Sequence, residues 1–246
     1  MILLLPPSET KRDGGRAGSR LDLAVLSWPQ LTPARSRALA ALGRLPEDDA
    51  AALRSLKLSP RQLPEVERNR RLAQAPTMPA LNRYTGVLFD ALDAGSLNPD
   101  AWAFAGRHLV IHSALFGLLH GDDPIPAYRL SHDSRLPGLS LRRLWREAVP
   151  DALSSIRGLV IDLRSDSYIA LGPAPESAVT VRVVSEDASG RRTALSHFNK
   201  AAKGRFARAV VEAGIVHESA QSLIRWASRR GIRLEATPCG VLELVA

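Results

Sequence analysis

The sequence predicts an α+β fold or a mixed α/β sheet, and three observations point there. The apolar runs Ile2–Leu5 and Leu159–Leu163 read as buried strands, each delivering a polar loop at its end. Val179 to Ser185 alternates valine with polar residues, and the turn Asp187–Arg191 leads into a returning strand at Arg192–Leu195. Between these strands lie clusters of segments with apolar residues at helical spacing. Strands interleaved with helix clusters and a hairpin fit these two classes best.

The elements follow in order. Ile2–Leu5 is far too short to cross a membrane or to form the core of a secretory signal, and Pro6-Pro7 stops it. Residues 16–32 form a loop containing a short apolar segment, Leu21–Leu26. Thr32 as N-cap and Pro33 as first helical residue open a helix through Leu42, and Gly43 ends it. A second helix covers Glu47–Leu56, with acidic residues in its first turn. Ser59-Pro60 begins a third, reaching Leu72, which Pro64 kinks or divides. Pro76 and Pro79 mark a connection. Asn82–Leu92 returns to helical spacing, with Tyr84, Val87, Leu88 and Leu92 on one apolar stripe. Asn98-Pro99-Asp100 caps a short helix, and His108–Ile111 is the next strand. Ser113–Leu119 reads as a turn or short helix, Gly121–Pro126 as a loop, and Leu139–Ala148 as an amphipathic helix carrying Trp145. Beyond the strand Leu159–Leu163, its loop and the hairpin come a basic helix, Asn199–Glu212, a last helix, Ser219–Arg229, and a last strand, Val241–Val245.

A length of 246 residues permits one large domain or two small ones, and 45% hydrophobic content supports a substantial core. Lys+Arg 33 against Asp+Glu 25 gives a net charge of +8. Such a balance favours polyanions, nucleic acid first and acidic lipid surfaces second. The plain alternative is a generally basic, Arg-rich protein, since Arg greatly outnumbers Lys. The single cysteine, Cys239, excludes an intrachain disulfide and a cysteine-cluster metal site. His112 and His120 have no carboxylate at metal spacing, so neither a metal nor a cofactor is expected. No stretch is long enough for a transmembrane helix and no signal peptide is visible, which makes the cytoplasm the expected compartment.

Four places carry the side chains that could do chemistry. Ser8-Glu9-Thr10-Lys11-Arg12 precedes Gly14-Gly15; glycines let a backbone approach a ligand, and the two cations would add charge, although the order is not that of a Walker A loop. The alternative is a solvated loop. In the basic helix, the cations Lys200, Lys203, Arg205 and Arg208 fit phosphate contacts, with Lys200 and Lys203 on one face. Gly204 sits mid-helix at a cost of about 1 kcal/mol, so something should approach the backbone there. Arg129 could bind phosphate or pair with Asp123 or Glu9. Asp166 follows a strand and could act as acid or base, and would form a carboxylate pair with Glu9 if the two strands are neighbours. Ser165 and Ser167 lack the context of a catalytic triad.

Segments spread along the chain resemble, in the same order, the bacterial peroxide stress protein YaaA family. They are the opening MILLLPPSETKRDGG, Tyr84–Leu88, the block His108–Leu130 with Leu144-Trp145 beyond it, and DLRSDSY (Asp162–Tyr168) followed by NKAAKGRFAR (Asn199–Arg208). The resemblance implies a single compact domain over residues 1–246, with a central mixed sheet surrounded by helices. It also implies a helix-hairpin-helix element, placed between Leu53 and Leu72 within a helical segment of about 33–75; Leu136–Leu139 is the alternative position. The implied role is protection against peroxide, with less damage from intracellular iron and with binding to DNA. A basic cleft would then hold the DNA backbone without reading its sequence, through Thr10, Lys11, Arg12, Arg129, Asn199, Lys200, Lys203 and Arg205. The alternative is an enzyme acting on a small phosphorylated or nucleobase-like substrate, with Glu9 or Asp166 as acid/base and Lys11 as electrostatic stabiliser. Ser8-Glu9 and Ala201-Ala202 depart from the commoner family pattern. The DNA expectation requires that Lys11 and the lysines from position 200 onward converge on one electropositive groove.

Overall fold

The computed structural model describes residues 1–194 and 199–246. In chain order its strands are β1 (Ile2–Leu5), β2 (Met78–Pro79), β3 (Leu109–Ser113), β4 (Gly117–His120), β5 (Pro124–Ile125), β6 (Val160–Asp162), β7 (Val179–Glu186), β8 (Arg192–Ala194), β9 (Leu234–Ala236) and β10 (Leu242–Val245). The helices are α1 (Thr32–Leu42), α2 (Asp49–Leu56), α3 (Leu63–Arg70), α4 (Ala80–Arg83), α5 (Val87–Leu92), α6 (Pro99–His108), α7 (Leu141–Ser154), α8 (Asp166–Leu171), α9 (Asn199–Ala213) and α10 (Ala220–Arg229).

β1 lies near the middle of a mixed sheet ordered β4-β3-β1-β6-β7-β10-β9. β1 pairs in parallel with β3 and β6, β6 with β7, and β7 with β10; β4, β8 and β9 are antiparallel to their neighbours. β7 is long enough for one edge to serve two partners, β6 at its start and β8 at its end. The parallel centre is apolar without alternation and buried on both faces, the pattern of strands covered on each side by other elements. A single connected core joins the sheet to the helices. β2 and β5 form a separate two-stranded ribbon.

Several expectations need correction. Residues 117–120 are a strand rather than a turn or short helix: the chain reverses at Ala114–Phe116 and β4 pairs back on β3, with Gly117 at positive φ beneath Trp145. The expected helix Asn82–Leu92 is two pieces. Gly86, at φ 94, breaks it, and Val87 is exposed rather than part of a buried stripe. Pro64 sits in the first turn of α3, so it divides a short 3-10 turn, Pro60–Gln62, from the helix. Pro124–Ile125 pairs with Met78–Pro79 within what reads as a loop. α7 runs on through Pro150 to Ser154. α8 and β9 were not anticipated. α2 and α3 are joined through Lys57, a left-handed residue, and Ser59, whose backbone N–H donates to Gln62 Oε1. The expected end of the returning strand at Leu195 lies outside the described residues.

Two fully buried arginines hold the long loops without a carboxylate at hydrogen-bond distance. Arg83 donates to the carbonyls of Arg12, Gly14, Pro76 and Ile125. Arg35 donates to those of Ser27, Trp28, Phe116 and Leu118. A guanidinium has five N–H groups in a fixed fork, so one side chain can satisfy several loop carbonyls that no strand pairs.

Candidate functional site

The connections following β1 and β6 lead to opposite sides of the sheet, β1 toward β3 and β6 toward β7. Open α/β sheets form ligand crevices at such a switch point, beyond the carboxyl ends of the strands. A cavity of about 550 Å³ lies there. Its walls are the loop after β1 (Pro6 to Thr10), the start of α5 (Gly86 to Phe89), His132, Ser165 and Tyr168 around α8, and Asn199, Lys200 and Lys203 from the first turns of α9. The two loops that the sequence singles out, after the first strand and after Leu163, do meet.

Lys11 braces this wall from behind. Its side chain is buried, and Nζ donates to the carbonyls of Ser8 (2.9 Å) and Glu9 (3.3 Å). Nζ also sits 4.2 Å from the centre of the Tyr128 ring and 5.2 Å from that of Tyr84. Burial lowers its pKa to about 7; the Glu9 carboxylate opposes that shift and Arg129 adds to it. Beneath it, the Tyr84 and Tyr128 hydroxyls are 2.7 Å apart, and Tyr128 reaches Ser113 Oγ at 2.6 Å. Ser113 Oγ already accepts from the Leu115 and Phe116 N–H groups, so its own proton goes to Tyr128.

The other wall rests on a buried ion pair. Arg164 Nε and Nη2 bond the two Asp162 oxygens at 2.9 and 2.6 Å, and both side chains are almost fully buried. Arg164 Nη1 also donates to His112 Nδ1 and to the Gly172 carbonyl. An arginine can only donate, so His112 is neutral with its proton on Nε2; burial, then the Arg164 charge, push its pKa well down. Lys203 Nζ donates to the Arg164 carbonyl at 3.3 Å. Its pKa is lowered by burial, against the pull of Asp162 and Asp166. DLRSDSY thus supplies a buried ion pair beneath the wall that Ser165 and Tyr168 line.

The remaining predicted residues are distributed as follows. Glu9 lines the cavity, and its Oε2 lies 3.1 Å from Arg129 Nη2, so Arg129 is first an ion-pair partner. Thr10 lines it too and receives a hydrogen bond from Thr85 Oγ1. Arg12 is exposed and opens on a neighbouring groove with Arg16 and Arg20. Arg205 lies on a different face of α9, lining a groove with Phe206 and Trp226. Asp166 is exposed at the start of α8 and is not part of the cavity wall, while Glu9 is engaged by Arg129. The six cations therefore do not share one groove: Lys200 and Lys203 face the cavity, Lys11 and Arg129 support it, and Arg12 and Arg205 face elsewhere. Gly204 does permit a close backbone approach, but from within the fold. A Cβ there would stand 2.2 Å from the Leu88 carbonyl oxygen, in the seam between α9 and α5. Gly15 likewise packs on the Pro76–Thr77 backbone.

A family model described as "Peroxide stress protein YaaA" matches residues 1–234. The chain belongs to this family. A UPF0246 protein of Corynebacterium glutamicum is 44% identical over 243 residues, covering 97% of this chain and 96% of that protein. One from Streptomyces coelicolor is 41% identical over 249 residues, covering 96% and 92%. One from Corynebacterium efficiens is 47% identical over 213 residues, covering 85% and 84%. For this YaaA-family chain, sequence reasoning missed Tyr168 and His132 as cavity residues. Tyr168 was in view as the end of DLRSDSY; reading Asp166–Leu171 as a helix would have turned it toward the core.

Proposed function

We propose that this protein serves the peroxide stress response in the cytoplasm by binding DNA at the mouth of this cavity, through phosphate contacts from Lys200 and Lys203 and without the expected convergence of Lys11, which is buried behind the wall. The supporting observation is the first turns of α9. Lys200 and Lys203 stand there beside Asn199 at the switch point, and the first turn holds no acidic residue. A helix N-terminus carries roughly half a positive charge, so lysines placed on it are at odds with the helix until an anion arrives. Thr10 on the facing wall adds a hydroxyl, and Arg12 with Arg16 and Arg20 offers further cations on the adjoining groove. The net charge of +8 draws a polyanion to this surface.

In this reading α2 and α3 form the helix-hairpin-helix element. The N–H groups of Lys57, Leu58 and Ser59 are already bonded within the turn, and Lys57 pairs with Asp133. The exposed side chains of Arg54 and Arg61 are then its phosphate contacts.

Gel-shift titration of duplex, mismatched and single-stranded DNA at two ionic strengths tests the proposal. Affinity falls with salt, and Lys200→Ala lowers the magnitude of the log–log slope on duplex DNA by about 0.9, one phosphate contact. No shift with any DNA at low salt, or a slope that Lys200→Ala leaves unchanged, refutes it. A second reading, an enzyme acting on a small phosphorylated or nucleobase-like substrate, is favoured by Lys203. Its amine stands in the cavity wall with its pKa lowered by burial. Salt-insensitive binding of such a compound, without a gel shift, selects that reading.

A further inference from the structure

Phosphate contacts alone leave most of the cavity unexplained. Tyr168 is 5% exposed, it lines the cavity, and its hydroxyl has no hydrogen-bond partner among the described residues. The His132 backbone lies beside it without hydrogen-bonding geometry. Burying a hydroxyl unpaired costs about 1–3 kcal/mol, a cost that a ligand group placed there removes. Asn199 Oδ1, at the α9 end, is a second buried polar atom without a partner among the described residues. The lining also includes the apolar side chains of Pro6, Pro7, Val87, Leu88 and Phe89. The volume falls in the range of about 300–1,000 Å³ typical of small-ligand sites, and a duplex cannot enter it.

Lysine usage points to the same place. Only four of the 33 cationic residues are lysines: Lys11, Lys57, Lys200 and Lys203. Two of them line this cavity and a third braces its wall. Where arginine serves nearly everywhere else, these positions take a compact ammonium, which contacts one anionic group as a point charge rather than as a planar fork.

We infer that the cavity holds a single nucleotide unit. Its phosphate sits at the α9 N-terminus between Lys200 and Lys203, its base lies against the proline and Phe89 wall, and a polar edge of the base or sugar meets Tyr168 and Asn199. The inference rests on the DNA-binding reading for its source: the unit would be a nucleotide turned out of a strand, as is required of any base taken into a pocket. A free nucleotide carries the same chemistry.

The test is calorimetric titration of a nucleoside 5′-monophosphate, the matching nucleoside and inorganic phosphate into the whole protein. A DNA strand carrying 2-aminopurine is titrated in parallel and read by fluorescence. The monophosphate should bind at least tenfold more tightly than either fragment. Lys200→Ala, an exposed position, should erase the preference of monophosphate over nucleoside. Tyr168→Phe should weaken both about fivefold while raising the melting temperature, which a merely structural tyrosine would not do. The 2-aminopurine should brighten on binding as its base leaves the stack. Phosphate binding as tightly as the monophosphate, or no binding by any of the three, overturns the inference. A gel shift without 2-aminopurine brightening overturns the strand-borne source and leaves the free nucleotide. Mononucleotide binding without any gel shift overturns the DNA-binding reading and leaves the cavity's ligand standing.

Discussion

Replacing Lys11 with methionine should change how stability depends on pH. Folding lowers the Lys11 pKa from 10.5 to about 7, mainly because the amine is buried on the Tyr84 and Tyr128 rings. Each unit is worth about 1.4 kcal/mol, so the whole shift corresponds to a penalty of about 5 kcal/mol, felt in full below pH 7. Between pH 7 and 10.5 the unfolded chain holds a proton that the folded chain has released. Stability therefore rises with pH across that window and levels off above it. From pH 7 to pH 9 the gain from this one group is about 2 kcal/mol. Lys203, whose pKa is also lowered by burial, contributes in the same direction, so the comparison must be between wild type and variant. In urea unfolding at the two pH values, wild type should gain about 2 kcal/mol more than Lys11→Met. The variant should also be the more stable protein at pH 7, since a methionine fills the space without a charge. Equal pH dependence in the two proteins would refute the claim that Lys11 is buried with a weakened hold on its proton.

Gly204→Ala should destabilise by about 1–3 kcal/mol in urea unfolding, despite alanine's better helix propensity, because the new methyl meets the Leu88 carbonyl oxygen. A neutral or stabilised variant would mean that α5 and α9 are not so closely packed. Asp162→Asn should cost about 3–5 kcal/mol in thermal unfolding, since Arg164 is left buried without its counter-charge. A loss below 1 kcal/mol would show that Arg164 finds water in the folded protein.

The strands at the sheet's centre were legible because burial on both faces writes them as unbroken apolar runs, as in Ile2–Leu5. Some element ends marked by caps were legible as well: Asn98 accepts from Ala101 N, and Ser219 from Ser222 N, where the sequence places those helix starts, whereas Thr32, expected as an N-cap, is already helical and Leu31 in the cap position makes no capping bond. The failures have a common cause. β4 and β5 have too few residues to show a period, and β2–β5 pairing is decided by partners about 45 residues apart, which no local window contains. Gly86 was read past because its positive φ matters only through the contacts around it, with Ser8 and Thr10 side chains 3.1 and 3.4 Å from where a Cβ would stand. The site was half legible. The sequence named the two loops and the helix that line the cavity, yet treated every cation near them as equivalent.

That equivalence fails because arginine and lysine have different work in this chain. Arg35 and Arg83 clamp loop carbonyls, and Arg164 completes a buried ion pair. Arg192 gathers Glu186, Glu235 and Glu243 across the sheet's far edge. Arg208 caps the end of α5 through the Leu92 and Asp93 carbonyls. In each case the planar, multi-donor fork is what the place requires. A net charge of +8 therefore overstates the cationic surface available as a docking face, since so many arginines are spent inside the fold. The lysines are few, and two of them stand at the crevice beside the switch point in the strand order. In the proposed function, position in the topology rather than total charge is what singles out Lys200 and Lys203 as the anion contacts. That placement predicts that neutralising Lys200 affects binding far more than neutralising Arg205, because Arg205 faces a different groove.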